Sequence, residues 1–255
     1  MFGTKHLILL CLCVILAAVI YIFTHKWSLK SWLKLILVIG IISEVTKIAY
    51  YILANEEVYG GYLPKTDLPF QLCSIQIIFV VMLNVLKNEK FKRILLSFML
   101  PSCLIGGIAA ILIPTSSSLT GTWVITTQYF VYHTMIISFS IYLFGCKEIE
   151  WNIKDYVKAL CFLGVMGFIA IYINSMFYDV HNYIVYEDGT KVIEMVSRTN
   201  FMYVVDPPQS GLPFLNKDHG WGVYIMHYAF TAVFAITLCY IVPIVKAIKN
   251  KFKKA

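Results

Sequence analysis

One stretch of the chain decides how the rest is interpreted: Leu68-Pro69-Phe70-Gln71-Leu72-Cys73-Ser74. It leads into an apolar run, Ile75 to Leu86, and the two together are long enough to cross a bilayer. Proline is tolerated in the first turn of a helix, so the stretch predicts a helix that begins near Pro69. Gln71 and Cys73 then lie at the mouth of a span, where polar groups are costly and are candidates for function. The alternative is a helix cap with a small buried thiol.

The composition is that of a membrane protein. Of the 255 residues 59% are hydrophobic and 14% are charged, and the mean hydropathy is +0.75. Apolar runs of about twenty residues recur along the chain and do not alternate as barrel strands do. We therefore expect an all-α polytopic membrane protein. The net charge of +7 indicates no nucleic-acid partner, because the basic residues lie in short loops and in the tail.

Seven transmembrane helices are predicted, at approximately 6–24, 31–53, 69–87, 92–113, 122–145, 155–177 and 220–245. They form a single membrane domain, 1–255, with a long outer loop at 178–219 and a basic cytoplasmic tail at 246–255. Residues 192–202 predict a short helix or a segment that dips into the bundle. The tail predicts contact with anionic lipid.

The basic residues predict the orientation. Fifteen lie on one side of the predicted bundle: Lys26, Lys30, Lys34, Lys87, Lys90, Lys92, Arg93, Lys147, Lys154, Lys158, Lys246, Lys249, Lys251, Lys253 and Lys254. Five lie on the other: Lys5, Lys65, Lys191, Arg198 and Lys217. Because cytoplasmic loops carry the excess of Lys and Arg, the N-terminus is expected outside and the C-terminus in the cytoplasm.

The polar side chains of the predicted spans gather in the outer half of the bundle: Glu44, Lys47, Gln71, Cys73, Gln76, Gln128, His133, Asn174 and His227. This distribution predicts a polar cavity there. Glu44 and Lys47 are three residues apart and share a helix face, either as a structural ion pair or as part of a site. A metal site built from His133, His219 and His227 lacks motif spacing, so neither a metal nor another cofactor is expected.

Cys73 and His133 are the one pair of these residues that could act together as a nucleophile and its base. A thiol attacks an ester only when a base removes its proton, and histidine is the usual base. The two residues lie on different predicted helices, at depths that permit contact. The other cysteines (Cys11, Cys13, Cys103, Cys146, Cys161 and Cys239) have no spacing typical of a disulfide framework.

Several motifs, in their order, resemble a known family. They are the run 68–73 before a span, the mid-membrane His133, the outer-loop run Thr199-Asn200-Phe201-Met202-Tyr203, and Gly220-Trp221-Gly222-Val223-Tyr224. Together they resemble the YwaF-like bacterial integral membrane proteins, which are related to animal transmembrane protein 164. The resemblance implies seven helices and an integral protein of a bacterial plasma membrane.

For the animal relatives, the resemblance also implies a cysteine acyltransferase that moves a fatty acyl chain between phospholipids through a thioester. By position, Cys73 would be the nucleophile and His133 its base, with Asn200 and Glu44 in the same polar cluster. The chain departs from the family pattern at Gln71, where histidine is common, and Gln cannot act as a base.

Three classes of function follow. The first is a membrane acyltransferase or lipid thioesterase acting on a membrane phospholipid or lysophospholipid. The second is a non-enzymatic membrane protein that binds or transports a ligand in the polar outer cavity. The third is a structural or sensory membrane subunit whose polar groups are only structural. Loss of acyl labelling on Cys73→Ala would discriminate the first class from the others.

Overall fold

The described part of the chain folds into a bundle of long helices and a pair of antiparallel strands. The computed structural model describes residues 3–54, 61–114, 118–119, 121–185, 191–197, 199–207 and 215–252. The helices are α1 (Thr4–Thr24), α2 (Leu29–Ala49), α3 (Ile75–Val85), α4 (Glu89–Leu112), α5 (Trp123–Gly145), α6 (Ile153–Met176), α7 (Trp221–Cys239) and α8 (Ile241–Phe252). A π-helical turn, Tyr50–Ala54, extends α2, and strands β1 (Asp179–Val185) and β2 (Lys191–Ser197) pair antiparallel.

Polar caps fix where several helices begin. The Ser28 hydroxyl accepts the Ser31 N–H before α2, and the Asn88 side chain accepts the N–H groups of Lys90 and Phe91 before α4. Asn152 begins α6 with a reciprocal capping box to Asp155. Each cap satisfies backbone donors that the first helical turn leaves unpaired, so these boundaries follow from the local sequence.

Helices α4 and α5 lie at the centre of the bundle. Helix α4 packs against α3, α5, α6 and α7, and α5 also packs against α1 and α2. Phe98 and Met99 of α4, Ile136 and Phe139 of α5 and Trp32 of α2 are each at most 1% exposed. By contrast, α1, α6 and α7 expose large apolar side chains such as Phe23, Phe168 and Phe230. Apolar surface outside a buried centre is what a lipid environment requires.

A hydrogen bond from Tyr240 replaces the backbone hydrogen bond that Pro101 of α4 cannot make. Pro101 has no N–H, so it cannot donate to the carbonyl of Ser97 one turn earlier. The Tyr240 hydroxyl, between α7 and α8, donates to that carbonyl at 2.8 Å. Tyr240 is fully buried, and it thereby joins the last part of the bundle to its central helix.

Five of the described helices are long and apolar enough to cross a membrane: α1, α2 with its extension to Leu53, α4, α6 and α7. The predicted all-α polytopic membrane architecture is thereby confirmed. Helix α3 is too short, because its 11 residues span about 16 Å of a hydrocarbon core about 30 Å thick. Helix α5 has 23 residues but is not apolar enough to join the five. Seven crossings and an outer N-terminus remain predictions.

One local prediction was wrong and another is confirmed in part. The helix expected from Pro69 begins at Ile75, and residues 68–74 form a series of turns. Most of 192–202 is strand β2 and not a short helix, consistent with the strand preference of its β-branched residues. The end of the segment does dip into the bundle, because Phe201 and Met202 are buried in a 3-10 turn, Phe201–Tyr203, and Met202 belongs to the core. Of the basic residues that predicted the orientation, Arg198, Lys253 and Lys254 lie outside the described residues.

Candidate active site

A cavity of about 530 Å3 lies among α2, α4, α5 and α7. Its volume falls within the range of roughly 300–1,000 Å3 that is typical of small-molecule sites. Residues 66–68, residues 71–74, and Met202 with Tyr203 complete its wall. Most of the lining is apolar, including Phe98, Ile105 and Ala235, and a limited set of polar groups converges on it.

Cys73 lies in the turns before α3. The N–H of Phe70 bonds the carbonyl of Leu68 at 2.7 Å, and the N–H of Ile75 bonds the carbonyl of Gln71 at 3.0 Å. These turns place the Cys73 side chain on the cavity, with its sulfur 3.9 Å from the carbonyl oxygen of Gly106. Within the described part of the chain, the backbone N–H groups of Cys73 and Ser74 have no hydrogen-bond acceptor.

His133 reaches the same cavity from α5. It is buried, and its Nδ1 lies 2.7 Å from the carbonyl oxygen of Tyr129. A carbonyl can only accept, so Nδ1 carries the proton and, in the neutral ring, Nε2 is left as the basic nitrogen. The structure therefore brings Cys73 and His133 to one cavity. The described hydrogen bonds of the two side chains run to backbone carbonyls and do not join thiol to imidazole.

A cluster of polar side chains lies on the α2 side of the cavity. Lys47 forms an ion pair with Glu44 at 2.9 Å and donates to the carbonyl of Asp67 at 2.8 Å. Gln128 of α5 donates to the hydroxyl of Ser43 at 2.6 Å. All of these residues line the cavity, so the structure brings Glu44, Lys47 and Gln128 to the same wall region as the turns before α3.

Gln71 and Asn200 fasten a loop onto the cavity. The Gln71 side chain accepts the N–H of Met202 at 3.0 Å and donates to the carbonyl of Asn200 at 3.3 Å. The Asn200 amide accepts the N–H groups of Val205 and Asp206, both at 3.1 Å, and donates to the Asp206 carbonyl. Gln71 lines the cavity, whereas the Asn200 side chain is used within its own loop.

His227 is not brought to the site. It is exposed and does not line the cavity. Tyr224 and Tyr228, one turn apart on α7, occupy the inward face of that helix, and His227 lies on a different face. His219 is exposed as well, and among the described residues no group of three or more His, Cys, Asp or Glu could hold a metal ion.

Three tyrosines of the site were missed by sequence reasoning. Tyr132 donates to the carbonyl of Cys73 at 2.8 Å, Tyr129 packs its ring 4.2 Å from that of His133, and Tyr203 lines the cavity. Tyrosine is common at membrane interfaces, which hid these residues among many others. The available signal was spacing, because Tyr129 and His133 are four residues apart and so share a helix face.

Comparison with known proteins identifies one family. The sequence profile of the TMEM164 family matches residues 1–240. Comparisons with curated proteins and with solved structures found no significant match.

Proposed function

Because the chain belongs to the TMEM164 family, we propose that it is a membrane-embedded acyltransferase, or lipid thioesterase, that holds a fatty acyl chain on Cys73 as a thioester. The observation that supports this proposal is that Cys73 and His133, from distant parts of the sequence, both line one largely apolar cavity.

The chemistry is a two-step acyl transfer. The Cys73 sulfur attacks the carbonyl carbon of a lipid ester while His133 Nε2 takes the thiol proton. The bond from carbon to the glycerol oxygen then breaks, and His133 returns the proton to that oxygen. In the second step a lysophospholipid hydroxyl, or water, gives its proton to His133 and attacks the thioester carbon. The carbon–sulfur bond then breaks, and His133 returns the proton to the Cys73 sulfur. A lipid acceptor makes the protein an acyltransferase, and water makes it a thioesterase.

Backbone donors support the first step. The N–H groups of Cys73 and Ser74 have no acceptor within the described residues, and they precede the first turn of α3. Such donors stabilise the negative oxygen that develops when a carbonyl is attacked. The Gln71 and Asn200 amides are engaged with the 200–206 loop instead, so we assign them to holding that loop.

The lining of the cavity fits a phospholipid. The apolar wall suits an acyl chain, and Lys47, paired with Glu44, offers a cation for a head-group phosphate. We further assign the chain to the YwaF-like bacterial branch and to the bacterial plasma membrane. Anionic lipid would contact the basic end of the chain, where Lys246, Lys249 and Lys251 lie on α8.

The proposal is tested by acyl labelling. Full-length protein in bacterial membranes is supplied with a phospholipid whose acyl chain ends in an alkyne, and protein-bound alkyne that neutral hydroxylamine releases is measured. Wild type and Cys161→Ala, which alters an exposed cysteine of α6, should be labelled. Cys73→Ala should not be labelled. The labelling rate of His133→Gln should fall by about 100-fold or more, because this variant lacks the base.

Equal labelling of wild type and Cys73→Ala would overturn the proposal. Binding of the alkyne lipid without labelling of any variant would favour the non-enzymatic alternative, in which the cavity only holds a ligand.

A further inference from the structure

We propose that Tyr203 is a further catalytic residue of this site, whose hydroxyl donates a hydrogen bond to the carbonyl oxygen of the lipid ester while Cys73 attacks the carbonyl carbon. The inference rests on the proposed function and adds a side-chain donor that the sequence did not indicate.

The tyrosines around the cavity differ in what their hydroxyls do. Tyr129 donates to the carbonyl of Ala110 at 3.0 Å, Tyr132 to that of Cys73 at 2.8 Å, and Tyr228 to that of Met202 at 2.6 Å. The Tyr203 hydroxyl makes no hydrogen bond to any part of the chain that the structure describes, although Tyr203 is half-buried and lines the cavity. Its proton is therefore available to a ligand.

The backbone holds Tyr203 in an unusual position. Met202 and Tyr203 have φ values of 56° and 54°, the left-handed region that residues other than glycine rarely occupy. Hydrogen bonds maintain this conformation: the carbonyls of Met202 and Tyr203 accept from Tyr228 and Tyr224, and the Met202 N–H is held by Gln71. Backbone strain that surrounding contacts maintain is typical of functional sites.

Gln71 connects the backbone at Met202 and Tyr203 to the segment that carries Cys73. It lies two residues before Cys73, so the bond from its side chain to the Met202 N–H ties the loop to the turns that carry the thiol. The backbone that carries Tyr203 is thus held to the turns that carry the sulfur.

Electrostatics agree with a donor role. Burial raises the pKa of Tyr203, and the nearby Cys73 raises it further, so the phenol is within electrostatic range of the thiol and keeps its proton. During the attack the sulfur–carbon bond forms, the electron pair of the carbonyl moves to its oxygen, and the thiol proton goes to His133. Tyr203 stabilises the resulting oxyanion through its hydrogen bond without giving up the proton.

The test separates attack on an ester from reactivity of the thiol. Wild type, Tyr203→Phe and the control Tyr172→Phe, which alters an exposed residue of α6, are compared as full-length protein. The rate of Cys73 acylation by the alkyne phospholipid is measured beside the rate of Cys73 alkylation by iodoacetamide, each by mass spectrometry of the Cys73 peptide. Alkylation forms no oxyanion. We expect Tyr203→Phe to lower acylation about 100-fold, as loss of one oxyanion donor does, and to leave alkylation unchanged.

Acylation of Tyr203→Phe at the wild-type rate would overturn this inference and leave the proposed function standing. A parallel fall in acylation and alkylation would also overturn it, because the residue would then be needed only for the structure of the site. If wild type is not acylated at Cys73, the proposed function fails and the role of Tyr203 fails with it.

Discussion

Gly107 lets α4 and α5 approach closely beside His133. A Cβ added at this position would lie 2.6 Å from Cγ1 of Ile137 and 3.3 Å from the carbonyl oxygen of His133. Both atoms belong to α5, and the second is backbone that a side-chain rotation cannot move. The absence of a side chain at residue 107 therefore sets the spacing of the central helix pair at the level of the proposed base.

Replacing this glycine should destabilise the bundle. We expect Gly107→Ala to cost about 1–3 kcal/mol, because the helices must separate to admit the methyl group. The matched control is Gly164→Ala in α6, where nothing lies within 4 Å of an added Cβ. The control should be neutral or stabilise by up to about 1 kcal/mol, since alanine favours the helix. Unfolding in detergent, followed by circular dichroism, measures both; equal effects would contradict the role of Gly107.

At the level of single residues, the sequence pointed to two side chains that share a cavity but did not indicate the geometry of that cavity. A thiol and an imidazole are a reactive pair, so the sequence points to Cys73 and His133, and both line one cavity in the structure. The sequence could not single out tyrosines in this way. Tertiary contacts alone decide which of their hydroxyls bonds to the part of the chain that the structure describes. For the same reason, nothing in the sequence indicated the left-handed backbone at Met202 and Tyr203.

At the scale of elements, the helix positions were largely predictable and the boundaries of α3 were not. Long apolar runs specify buried or lipid-facing helices wherever they occur. The turns at 68–74 depend instead on partners far along the chain: Gln71 bonds Met202 and Asn200, and Tyr132 bonds the carbonyl of Cys73. Pro69 would have permitted a regular helix to begin there, but these tertiary hydrogen bonds favour turns over a helix.

The bond from Tyr240 to α4 yields a prediction about this element. Tyr240→Phe leaves the Ser97 carbonyl buried without its partner and should cost about 1–3 kcal/mol. Pro101→Ala restores the missing N–H, so the same Tyr240→Phe change should cost less in that background. Free energies of unfolding from denaturant titration of the four proteins form a double-mutant cycle. Additive effects would show that Tyr240 does not replace the proline's missing donor.

At the scale of the whole molecule, the number of crossings is open between five and seven. Helix α5 is long enough to cross, and it lies among α1, α2 and α4, so its polar side chains meet protein more than lipid. Helix α3 needs the turns at 68–74 to complete a crossing, and non-helical backbone at membrane depth is tolerated where it lines a cavity. Seven crossings are therefore compatible with the described helices, of which five are both long enough and apolar enough to cross by themselves.

Labelling from outside the cell distinguishes the two topologies. With seven crossings and an outer N-terminus, Thr122→Cys before α5 should react with a membrane-impermeant maleimide on intact cells. Lys87→Cys before α4 should react only after the membrane is opened. If α3 and α5 do not cross, the pattern reverses, because both positions change sides. Protein without either substitution measures the background from the native cysteines.

The contact between Tyr240 and Ser97 also bears on how the polypeptide is made. Helix α4 leaves the ribosome long before residue 240. The Ser97 carbonyl therefore lacks its hydrogen bond from Tyr240 while the later segments are synthesised. The interior reaches its final hydrogen bonding only when the last crossing has joined. A product that stopped short of that tyrosine would carry a defect near the middle of the bundle, distant from the point of truncation, and quality control could recognise it there.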